Sequence, residues 1–113
     1  MSEIEKLHPH LLWKYFLEVC AIPRPSKKEN KIIAYLLDFA QKNKLEAKRD
    51  EIGNVVIFKK ATKGKESLLP VVLQSHMDMV CEKHSDVVHD FETDPIIPHL
   101  DGNWIKANGT TLG

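Results

Sequence analysis

Leu68, Leu69, Pro70, Val71, Val72 and Leu73 are apolar at every position, and the run passes through Gln74 and Ser75 into His76, Met77 and Asp78. A strand with one wet face alternates apolar and polar residues, whereas an unbroken apolar run of this length fits a strand covered on both faces. Pro70 has no N–H for a ladder, so it belongs near the strand's start or on an edge. Covering layers have to come from elsewhere in the chain.

The preceding sequence offers helices for that purpose. Leu11, Leu12, Tyr15, Phe16, Val19 and Cys20 form the stripe of an amphipathic helix spanning residues 8–21. Pro9 suits its first turn, and Pro23 with Pro25 ends it. Ser26 and Glu29 have capping-box spacing, predicting a second helix from there to about Asn43 with Ile32, Ile33, Leu36, Leu37 and Ala40 on one face. Strands are expected over 45–49 and 54–59, separated by the turn residues Asp50 to Asn54. Asp101-Gly102 between Ile96–Leu100 and Trp104–Ala107 is a hairpin signal. The resulting expectation is an α/β fold in which two amino-terminal helices pack on a mixed β-sheet.

At 113 residues the chain holds at most one domain. Sixteen basic residues balance sixteen acidic ones, which argues against a nucleic-acid or anionic-membrane footprint. No apolar stretch approaches the roughly 20 residues that span a bilayer, and MSEIEKLHPH lacks the apolar core of a secretory signal. Two cysteines, Cys20 and Cys81, make no disulfide framework, and Cys20 lies on the apolar side of the first helix as a reduced thiol. These features predict a cytoplasmic protein.

His76 and Asp78 therefore stand at the carboxyl end of the expected strand, where sites in open α/β sheets collect. Two residues apart on a strand, both side chains share a face. A neutral imidazole binds zinc best when its second ring nitrogen donates to a carboxylate, so the pair could supply one ligand and its orienting group. The alternative is a hydrogen-bonded histidine at a sheet edge. His84/Asp86 and His99/Asp101 repeat the spacing in polar or turn-like sequence and are expected on solvated surface, while His8 and His10 flank a helix start. Catalytic zinc takes about three protein ligands, and Glu82, Asp86, Asp90, Glu92 and Asp94 form no ligand set by spacing. Lys59, Lys60, Lys63 and Lys65 read as a solvated loop, and Trp13 and Trp104 as core or rim residues. Gly109 to Gly113 lacks the spacing and lysine of a phosphate-binding loop.

Several blocks in order, LQSHMDMVCEK (Leu73 to Lys83), HDFETDPI (His89 to Ile96) and DGNWIKANGTTLG (Asp101 to Gly113), closely resemble the bacterial aminoacyl-histidine dipeptidases, also called peptidase D or Xaa-His dipeptidase. CAIPRPSKKE (Cys20 to Glu29) and EIGNVVI (Glu51 to Ile57) fit the same family. The resemblance implies hydrolysis of dipeptides with carboxy-terminal histidine, carnosine-like ones included, at a dinuclear zinc site, with the full-length enzyme a homodimer. It implies that His76 binds one zinc and that Asp78, counted with the catalytic machinery, orients that imidazole. It also implies that residues 1–113 are the incomplete amino-terminal part of a catalytic domain of zinc-exopeptidase type. The bridging aspartate, the general-base glutamate and the other ligands of the two Zn²⁺ ions would lie beyond Gly113, so these residues alone are expected to be inactive.

Two other functions fit less of the sequence. A non-catalytic binding or dimerisation module, ending naturally near Gly113, would use exposed strand edges but leaves the His76/Asp78 pair unexplained. A zinc amidohydrolase or deacylase acting on another substrate keeps the chemistry but not the blocks between Asp90 and Gly113.

Overall fold

In a computed structural model, residues 2–113 are described. After a 3-10 turn at Ile4–Lys6, helix α1 spans His10–Cys20 and helix α2 spans Asn30–Lys42. Four short strands follow: β1 (Glu46–Arg49), β2 (Val55–Phe58), β3 (Pro98–Asp101) and β4 (Trp104–Ala107). The α/β class holds, and the four strands pair as two antiparallel ribbons, β1 with β2 and β3 with β4. The chain forms two compact units, one joining the chain up to Ile32 with Asp78–Gly113, the other comprising Ile33–Met77.

In the first unit, α1 begins directly after extended Pro9 and ends where Pro23 and Pro25 deny it further N–H donors. Its last turn delivers Cys20 into a cluster with Met79 and Ile96, all three at most 5% exposed, with Phe16, Cys81, Phe91, Ala107 and Leu112 packed around them. The Ile96 N–H donates to the Cys20 carbonyl at 3.0 Å, so the helix end and the returning chain satisfy each other's backbone groups. Both cysteines are free, and burial raises the Cys20 thiol pKa, as expected of a reduced core thiol. The β3–β4 ribbon turns at Gly102, whose φ of +59° suits a residue without a Cβ.

The second unit contains the β1–β2 ribbon, in which Glu46 pairs with Phe58 and Arg49 with Val55. Its turn is organised by Asp50, whose Oδ1 accepts the N–H groups of Ile52, Gly53 and Asn54 at 2.8–3.0 Å. The Asn54 side-chain amide donates to Asp50 Oδ2 at 2.7 Å, and these bonds hold the carboxyl pKa below its ordinary value. Helix α2 closes with a Schellman arrangement: Leu45 N–H donates to the Ala40 carbonyl at 2.8 Å and Lys44 N–H to that of Gln41 at 3.0 Å. Lys44 supplies the left-handed residue at φ +55°, a position usually filled by glycine.

Three expectations are corrected. The run Leu68 to Leu73 forms no strand and is open to solvent, with Leu69, Val71, Val72 and Leu73 between 84% and 93% exposed. A strand covered twice needs neighbours to pair with, and among the described residues 69–75 make no backbone–backbone hydrogen bond. The second helix starts at Asn30 rather than Ser26, because the Ser26 hydroxyl bonds elsewhere and Lys27 turns to φ +69°. Trp104 lies on the outer side of its ribbon and is 71% exposed, while Trp13 is half-buried with its indole N–H on the His8 carbonyl at 3.2 Å.

Candidate functional site

Backbone pairing resumes at Met79. Met79 N–H donates to the Arg24 carbonyl at 3.0 Å, and Pro25 and Met79 form a parallel bridge. On its other side the segment runs antiparallel to the chain end. His84 N–H donates to the Gly109 carbonyl at 2.8 Å and Thr111 N–H to the Glu82 carbonyl at 2.9 Å, around a Lys83–Thr110 bridge. The Thr111 hydroxyl donates to the Val80 carbonyl at 2.5 Å. Residues 79–84 are thus held from both sides, parallel to one neighbour and antiparallel to the other. Gly109 permits the close approach: at φ +70°, a Cβ there would stand 2.3 Å from Val87 Cγ2.

Asp78 is half-buried, and its Oδ2 accepts a hydrogen bond from the Ser26 hydroxyl across 52 positions of sequence. Ser26 sits on a turn fixed by its neighbours. Glu29 Oε1 accepts the Lys27 N–H at 2.6 Å, and the Pro25 carbonyl accepts that of Lys28 at 3.0 Å. Before the turn, Arg24 is buried at 7% exposure, and its guanidinium donates to the Val19 carbonyl at 3.1 Å. Lys28 then pairs with Glu92, and Lys31 donates to the Glu92 carbonyl at 2.8 Å, tying the turn to the 90–94 loop.

His76 is exposed, on the last residues of the second unit, while Asp78 opens the returning part of the first. The remaining acidic candidates disperse. Asp90 and Asp94 close their own loop, with Asp90 N–H donating to Asp94 Oδ2 at 2.8 Å, and that contact and the neighbouring bonds depress the Asp94 pKa. Asp101 pairs with Lys106 across its hairpin, and this partner lowers its pKa. His84 is exposed as expected, but His99 is half-buried with an unpartnered Nδ1, because β3 turns it inward. Among the described residues no three His, Cys, Asp or Glu side chains gather closely enough to hold a metal ion. One imidazole with a carboxylate two residues on is a fraction of a donor set, and zinc chemistry does not follow from these residues alone.

Sequence reasoning missed Ser26 and Arg24. Ser26 has a competing local use as a helix cap, and nothing in its surroundings signals a partner 52 residues away. Arg24 lies between two prolines, where no periodicity can mark a buried face.

This geometry has close counterparts among known proteins. The fold matches the crystal structure of aminoacylhistidine dipeptidase from Vibrio alginolyticus with a TM-score of 0.95 at 48% identity, over 99% of this chain and 23% of that one. All 113 residues align at 49% identity with the cytosol non-specific dipeptidase of Escherichia coli (strain K12), covering 23% of that protein. No protein-family model matches. The chain is an α/β segment similar in fold and sequence to part of each of these two dipeptidases. It spans about a quarter (23%) of the length of these relatives.

Proposed function

We propose that the full-length protein is a metal-dependent dipeptidase that hydrolyses dipeptides carrying a carboxy-terminal histidine. The observation that supports this most is the match of fold and sequence to the Vibrio aminoacylhistidine dipeptidase along essentially the whole chain. In this reading His76 contributes one ligand to a zinc pair, and Asp78 orients its imidazole. The other donors come from outside residues 1–113, and these residues by themselves do not hydrolyse peptides. The protein works in the cytoplasm as a homodimer. No helix is long and apolar enough to cross a membrane, and the Escherichia relative carries the word cytosol in its name.

That relative's name also favours a second reading, a dipeptidase of broad specificity. A panel of Xaa-His dipeptides beside matched dipeptides lacking histidine separates the two. The first predicts a kcat/KM advantage of roughly tenfold or more for Xaa-His, equivalent to about 1.4 kcal/mol of transition-state discrimination. Equal rates across the panel would select the broad enzyme, and no hydrolysis of any dipeptide would overturn both.

A further inference from the structure

We infer that the run Leu68 to Leu73 is a docking strand, covered in the full-length protein by segments of the same chain outside residues 1–113. This step rests on the function proposed above only in taking the working protein to be longer than these residues. On an extended backbone Leu69, Val71 and Leu73 share one face and Leu68 and Val72 the other. All five are at least 62% exposed, so the run is open and apolar on both sides. A sheet edge meant to stay free is ordinarily blunted by charge, yet Leu68 to Ser75 carries no charged residue. The ribbon of the same compact unit has a similar surface: Val56 and Phe58 alternate along β2 at 52% and 46% exposed. Strand addition would give the backbone of residues 69–75, which makes no backbone–backbone hydrogen bond among the described residues, its partners and give the side chains their pockets. The Vibrio relative supports an occupant from the same chain. These residues match it with a TM-score of 0.95 but cover 23% of it, leaving about three quarters of such a chain to supply neighbours. A second copy fits less well. A two-fold contact joins one patch to its own counterpart, whereas a run apolar on both faces needs cover on both.

The test uses the full-length protein, in which Leu69→Cys and Val72→Cys place one thiol on each face of the run. Labelling by a maleimide is read at each new thiol by peptide mass spectrometry, which separates it from Cys20 and Cys81. Each should react at least about 100-fold more slowly than in the urea-unfolded protein. In the unsubstituted protein the amides of residues 71–75 should exchange at least about 100-fold more slowly than in a free peptide of the same sequence, and this measurement carries the test if a cysteine variant does not fold. Both effects should be independent of protein concentration. Amide exchange within about tenfold of the free peptide, or fast labelling at either position, would overturn the inference. Protection that disappears on dilution would assign the run to a second copy and overturn it as well. Xaa-His hydrolysis measured on the same protein keeps the two proposals apart. An open run in an active dipeptidase overturns this one alone, and a covered run in an inactive protein upholds it while the proposed function fails.

Discussion

Two apolar segments lie close together in sequence and meet opposite fates. Leu69, Val71, Val72 and Leu73 are 84–93% exposed, while Met79, six residues further on, is 3% exposed. The difference is partnership. Met79 meets Cys20 and Ile96, its N–H has the Arg24 carbonyl, and the chain end runs alongside residues 80–84. The 68–73 run has a stronger burial signature in sequence, yet among the described residues 69–73 make no backbone–backbone hydrogen bond. Apolar pattern reports what a segment needs, whereas its neighbours decide whether it receives it.

Substitutions in the 113-residue chain sharpen the contrast, read as shifts in urea denaturation. The largest effect is expected at the cluster, where Ile96→Ala removes a side chain 5% exposed and should cost about 3 kcal/mol. A loss below 1 kcal/mol would mean that the cluster is loosely packed. An intermediate effect of opposite sign belongs to the backbone. Lys44→Gly relieves the φ of +55° at the end of α2 and should stabilise by about 1 kcal/mol. Val72→Ala, in the exposed run, should stay within about 0.5 kcal/mol of wild type. A cost there comparable to that of Ile96→Ala would show that the run is covered, and the contrast would collapse.

The local parts of the fold were legible in sequence. Helix α1, the Asp50 to Asn54 turn and the Asp101-Gly102 hairpin each rest on residues within a few positions of one another and appear where their chemistry places them, although Leu11 and Leu12 of the α1 stripe are exposed. The expected mixed sheet was legible in part: strands 45–49 and 54–59 are present, but parallel and antiparallel neighbours meet only along residues 79–84, as isolated bridges. The helix start at Ser26 failed because a long-range acceptor outcompeted a local cap. Burial of the 68–73 run failed because cover is a property of distant sequence. At the candidate site, the sequence singles out His76 and Asp78 by spacing and family resemblance, and the structure leaves His76 exposed and Asp78 half-buried against Ser26. The Ser26 contact was not legible, since it exists only once the chain has folded.

The central proposal is that His76 binds zinc in the full-length protein, and zinc affinity of the full-length His76→Ala variant tests it most directly. Loss of a direct ligand should exceed the range for outer partners, weakening zinc binding by more than about 100-fold at one site while circular dichroism stays that of wild type. A folded variant that binds zinc with wild-type affinity would contradict the claim.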